Sequence, residues 1–186
     1  MREAQIKKAL AEHLVREMDA NRDGFLEELR LHGGQIRADL VYVEEMHCFE
    51  IKSEADSLTR LINQGARYAR FFDRVTLVMA QRHLAKAMPL LPPWWGAMVL
   101  DSETGIFTSV RPAGVNSRQS ATALTLVLTR DEALRILEEA GEVKGLRSKS
   151  LYLLQEHIAR LMPMEQVKAH IRHALLVRTG NAPAPH

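Results

Sequence analysis

The sequence has a single cysteine, Cys48, among 186 residues. No internal disulfide can form and no cysteine-based zinc cluster can be built, so nothing in the chain calls for an oxidising compartment. No apolar run approaches the roughly 18 residues that a membrane-spanning helix requires. The opening "MREAQIKKALAEHLV" alternates charged with apolar positions and lacks the uninterrupted apolar core of a secretion signal. A cytoplasmic location is the resulting expectation. Charge of one sign is also scarce: the formal net charge is +2 and the pI near 8.8. That balance is compatible with a nucleic-acid partner without demanding one, and the distribution of charge matters more than its sum. There is no internal repeat, no heptad pattern, no helicase or ATPase motif, and no His-x-x-His or His-Glu-x-x-His near a strand end. What is present, 46% apolar and 26% charged residues, is the composition of an ordinary globular chain, long enough for one domain with a small appendage.

Hydrophobic periodicity places the elements. Ile6, Leu10, His13 and Leu14 recur at helical spacing, with Met18 one turn on, predicting a helix over 4–18. Strands are expected at 25–31, 35–43 and 46–52, the last two joined by a turn at Glu44 and Glu45, with "HGG" as a turn before them. A helix is expected over 54–72 with Leu58, Leu61, Ile62, Gly65, Ala69 and Phe72 as its buried stripe. "RVTLVMA" at 74–80 reads as a covered central strand. A short helix over about 82–88 ends at the prolines of "PLLPPWWG", whose tryptophans, Trp94 and Trp95, anchor the strand at 97–101. Residues 102–120 form a hairpin or loop. From 129 onward the chain is helical, opening with a capping box at Thr129 and Glu132 and a stop at Gly141. The expected organisation is an α/β core over 1–128, a basic helical segment over 129–180 packed on or appended to it, and a disordered tail at 181–186. Between 141 and 180 seven Lys or Arg stand against three Asp or Glu. Lys144, Arg147 and Lys149 bunch at a helix junction, where phosphate contact and three helices simply packing beside the core are equally good readings.

The chemistry concentrates in "RADLVYVEEMHCFEIKSEADSLTRL", residues 37–61. If Glu44 and Glu45 form the turn, or one further residue joins the loop on each side, Asp39 lies opposite Glu50. Opposed side chains of an antiparallel pair share a face at about 5 Å. Lys52, two residues from Glu50, faces the same way, while Leu40, Tyr42, Phe49 and Ile51 face the other. Two carboxylates so placed repel one another, and a hard divalent cation relieves that. Mg²⁺ takes carboxylate and water oxygens and assists attack on a phosphate, with a lysine as a point charge beside it. The plainer alternative is a surface ion-pair cluster at a sheet edge. His47 reads as a solvated residue near the turn, and Cys48 and Met46 as core.

These residues resemble the PD-(D/E)XK nuclease superfamily, and more closely its sce7726 family. The carriers are "RADL" with Asp39, "FEIKSEADSLTRL" with Glu50 and Lys52, "QGARYARFFDRVTLV" with Gln64 and Tyr68, "LPPWWG" and "GLRSKS", together spanning roughly residues 5–165. The resemblance implies a restriction-endonuclease-like α/β core, a central mixed sheet with helices on both sides. It implies Asp39 and Glu50 as metal-binding acids, Lys52 as the catalytic lysine and Glu28 as the further upstream acid, with Glu27 its nearest competitor and Glu12 a distant one. Gln64 and Tyr68 match a Gln-x-x-x-Tyr motif that supports the site and contacts DNA. For Arg60 and Arg67 on the same helix, phosphate contact and a solvated helix face are equally good readings. Ala38 stands where the family usually has a proline. The implied function is Mg²⁺-dependent hydrolysis of DNA phosphodiester bonds, with Mn²⁺ as a substitute, leaving a 5′-phosphate; a homodimer would allow both strands to be cut. The alternative is a non-catalytic nucleic-acid-binding or protein-interaction module on the same fold.

Overall fold

The structure is a computed structural model of the chain. It describes residues 3–18, 20–31, 34–59 and 61–180, except for the side chains at 18, 62 and 63. Arg60, the first two residues of the expected "HGG" turn, and the tail at 181–186 lie outside the described residues.

The chain opens with helix α1 (Glu3–Met18) and then lays down strands β1 (Phe25–Leu31), β2 (Ile36–Tyr42) and β3 (His47–Lys52). Helix α2 (Leu61–Tyr68) crosses to β4 (Arg74–Ala80), and a second crossover containing α3 (Leu84–Ala87) leads to β5 (Gly96–Leu100) and β6 (Phe107–Arg111). All six strands form one sheet in sequence order, β1-β2-β3-β4-β5-β6. The first three are antiparallel, β3, β4 and β5 run parallel, and β6 returns antiparallel to β5. β4 and β5 are buried along nearly their whole length, which is why they read as continuous apolar runs and not as alternations.

Each face of the sheet has its own core. Ile6, Leu10 and Leu14 of α1 pack on Leu40, Phe49, Ile51, Val78 and Met98. The other face buries Val41, Cys48, Val75, Leu77 and Val99 beneath α2 and the C-terminal helices. Those helices are α4 (Ala121–Thr125), α5 (Arg130–Glu139), α6 (Leu151–Leu161) and α7 (Met164–Thr179). Leu137, Leu154, Ile158, Ile171 and Leu175 belong to the same apolar cluster as the strands. Thr129 and Glu132 form the expected capping box of α5, and Gly141 beyond it adopts φ 75°. Pro163 stands at the N-cap of α7. Among the described residues no helix is long and apolar enough to cross a membrane.

Two elements differ from the sequence expectation. The helix expected over 54–72 spans only Leu61–Tyr68. Before it, the Asp56 carboxylate accepts from the Ser53 amide at 2.7 Å and its hydroxyl at 2.6 Å, and Ser57 and Thr59 pair through their hydroxyls at 2.7 Å. Such local side-chain bonds offer the backbone an alternative to helix. Helix α4 precedes the expected onset at 129.

Candidate functional site

The hairpin loop is Val43–Met46, closed by the Met46 amide on the Val43 carbonyl at 3.1 Å. Leu40 pairs with Phe49, Val41 with Cys48 and Tyr42 with His47. One step further, that register sets Asp39 across from Glu50, as the hairpin geometry requires. An Asp39 carboxylate oxygen accepts from the Ile51 amide at 2.8 Å, tying the two strands together at the polar end. Ile51 is buried against α1, which leaves Glu50 and Lys52 on the opposite face.

Glu50 is 1% exposed, and each of its oxygens has a donor. The Lys52 ammonium donates to Oε1 at 2.6 Å, and the Tyr68 hydroxyl donates to Oε2 at 2.8 Å. Tyr68 itself is fully buried. The expected contact between Tyr68 and nucleic acid does not fit this placement: its hydroxyl supports Glu50 from below, and no part of its ring faces solvent.

Glu28 lies level with Asp39, between the pairs Glu27–Leu40 and Leu29–Ala38. It takes φ 57°, rare for a residue with a side chain. This local reversal interrupts the strand's alternation, so that Leu26 and Leu29 pack against the same core. The Glu28 carboxylate pairs with Lys7 of α1 and with Arg37 of β2, and Lys7 also pairs with Glu3 at 2.8 Å. Carboxylate oxygens of Glu3, Glu28 and Asp39 lie within 4.8 Å of one another. Glu27 and Glu12 are not in this group. Glu3 was not expected from the sequence; the one local signal is its i,i+4 spacing from Lys7, which only the docking of α1 brings to the strands.

The electrostatics reflect crowded negative charge. Burial, and then the charge of Glu50, push the Asp39 carboxyl up to about 6 despite the Ile51 amide. Burial works against the Lys52 ammonium, but Glu50 and Asp39 outweigh it and raise its pKa. Lys52 therefore remains charged at neutral pH. Asp39, Glu50, Lys52, Gln64 and Arg67 line one open cleft of about 800 Å³ together with Glu3 and Arg37. The Gln64 amide oxygen is buried without a hydrogen-bond partner, and Arg67 is exposed. The grouped carboxylate oxygens of Glu3, Glu28 and Asp39 are hard donors of the kind a Mg²⁺ or Mn²⁺ ion with its waters takes. Glu28 suits that role less well than Asp39, because two cations already neutralise it.

Other expected residues lie elsewhere. Lys144, Arg147 and Lys149 are exposed on the α5–α6 connection, and none lines the cleft. Arg147 pairs with Glu138, and the Ser150 hydroxyl accepts from Leu153, capping α6 from within the chain. His47 is not solvated: it is 5% exposed, bonds Thr76 Oγ1 at 2.8 Å, and burial drives its pKa down to about 3. His83 is buried against the Ser53 carbonyl at 2.9 Å, and Trp95 is fully buried just before β5.

No curated protein sequence matches the chain. A solved structure of a protein of unknown function from Silicibacter pomeroyi is similar at 23% identity and TM-score 0.47, covering 78% of this chain and 95% of that one. The family described as bacteriophage P4 protein cII matches residues 1–181. The chain belongs to that bacteriophage P4 protein cII family.

Proposed function

We propose that the chain is a Mg²⁺-dependent nuclease that hydrolyses DNA phosphodiester bonds, on a restriction-endonuclease-like core of the PD-(D/E)XK type. The observation that carries this reading is the Asp39–Glu50–Lys52 set at one end of the β2–β3 hairpin, open to a cleft. A mixed sheet with helices on both faces accords with it. Asp39 and Glu50 would hold the cation, with Glu28 or Glu3 adding a further carboxylate. A bound divalent ion supplies a water of lowered pKa and neutralises charge on the attacked phosphate. Lys52, kept protonated by Glu50 and Asp39, holds positive charge where phosphate oxygens arrive. Tyr68 fixes the Glu50 carboxylate, Gln64 lines the cleft beside it, and Arg67 stands exposed there for a phosphate contact.

The pairing of Glu28 with Lys7 and Arg37, and of Glu50 with Lys52, favours a second reading, a nucleic-acid-binding module whose acids are closed ion pairs without turnover. One assay separates the two. Purified protein is incubated with single- and double-stranded DNA in Mg²⁺, Mn²⁺ or EDTA, beside Asp39→Ala and Lys52→Ala proteins shown to be folded. The nuclease reading requires metal-dependent products ending in 5′-phosphate that both substitutions abolish. Cleavage surviving both substitutions rules this site out, and DNA binding without cleavage selects the module.

A further inference from the structure

A second cavity adjoins the carboxylate cleft. It measures about 240 Å³ and lies at the carboxyl ends of β3, β4 and β5. Those three strands are parallel, and open α/β sheets bind ligands outside the carboxyl ends of such strands. Its walls are the buried side chains of Ile6, Ile51, Val78 and Leu100, and Glu54 and Ala55 stand on its border. Ile51 and Lys52 line both this cavity and the carboxylate cleft. A DNA strand with a phosphate at Lys52 therefore brings a neighbouring nucleoside to the apolar slot.

The chemistry of the slot suits a base, whose faces would lie against Ile6, Ile51, Val78 and Leu100. Lys52, Ser53 and Ser102 also line the slot and offer donors to the acceptor atoms of a base, while the Glu54 carboxylate repels a phosphate. The same carboxylate accepts hydrogen bonds from the amino edge of a base. A base paired within a duplex presents only its edges, and it enters a pocket only after leaving the stack. We propose that this cavity holds one unpaired nucleobase beside the attacked phosphodiester, making single-stranded DNA the substrate class. The position of the phosphate rests on the nuclease reading; the base-binding slot is tested without it.

The test is binding in EDTA, followed by fluorescence anisotropy with three labelled probes: a single strand, the duplex of the same sequence, and a strand of the same length whose nucleotides are all abasic. The single strand is expected to bind about tenfold more tightly than either of the others. Ala55 is exposed, so Ala55→Trp fills the mouth of the slot without entering the core. It is expected to weaken single-strand binding about tenfold while leaving circular dichroism and duplex affinity unchanged. Equal affinity for all three probes, absence of binding to any of them, or a folded Ala55→Trp protein with wild-type affinity overturns the slot. The abasic comparison stands on the wild-type protein alone should Ala55→Trp fail to fold. Selective single-strand binding with no cleavage in Mg²⁺ overturns the nuclease reading and leaves the slot intact.

Discussion

The fold disturbs the protonation of Asp39. Its pKa stands at about 6 in the folded chain, above its ordinary value, because of burial and the neighbouring Glu50. The folded state thus holds this proton more tightly than the unfolded state does. Asp39 favours folding below the ordinary carboxylate range, and that contribution is lost as pH rises through about 6. Asp39→Asn removes the charge and keeps an oxygen for the Ile51 amide. It is expected to raise stability at pH 8 by about 1–3 kcal/mol, with the gain vanishing near pH 3. Urea denaturation at the two pH values reads this directly, and no gain at pH 8 contradicts it. Tyr68→Phe leaves one oxygen of the buried Glu50 without its donor and should cost about 1–3 kcal/mol in the same assay. At this scale Asp39, Glu50 and Lys52 were legible because strand alternation and a hairpin register are local properties. Glu3 was not, since its approach to Asp39 depends on how α1 crosses the sheet. The burial of Tyr68 was equally hidden, because a tyrosine on an amphipathic helix reads the same whether its hydroxyl meets solvent or a carboxylate.

At the scale of elements, the site depends on where α2 is held. Asn116, 4% exposed in the connection after β6, donates to the Ala69 and Phe72 carbonyls at 2.6 and 2.8 Å, and its own amide donates to the Asp73 carbonyl at 2.8 Å. These bonds tie a distant loop to the carboxyl end of the helix that carries Gln64 and Tyr68. Asn116→Ala removes a side-chain donor from both carbonyls, leaving the Phe72 carbonyl only Gln119 Nε2 at 3.2 Å, and is expected to cost about 1–3 kcal/mol, measured by urea denaturation. An unchanged midpoint would show that the tie adds nothing. Thr129→Ala removes the α5 cap and should cost about 1 kcal/mol by the same measurement. Strand positions were legible from β-branched and apolar runs, and α5 from its cap. The overlong helix at 54–72 was not correctable from periodicity, since Leu58 falls on the helical stripe while Ser53 and Asp56 tie the preceding backbone into a turn.

For the whole molecule, the coverage of the sheet is unequal. One helix, α1, covers the face that holds the proposed base slot, whereas α2 and α4–α7 cover the other. An α/β chain with a mixed sheet and helices on both faces was legible from the alternation of periods along the sequence. The strand order was not, because a parallel crossover and an antiparallel return leave the same signature in each strand. What the assembled molecule places at the meeting of β1, β2, β3 and α1 is a group of carboxylates with a charged lysine, open to a cleft. As proposed, this group drives metal-dependent hydrolysis of DNA. Its most direct test is the rate of single-stranded DNA hydrolysis by wild type and by folded Asp39→Asn as Mg²⁺ is raised from zero. The expected result is no wild-type rate without Mg²⁺, saturation as the ion is added, and a loss of about 100-fold or more in the variant. Equal rates for the two proteins, or hydrolysis that persists in EDTA, would contradict it.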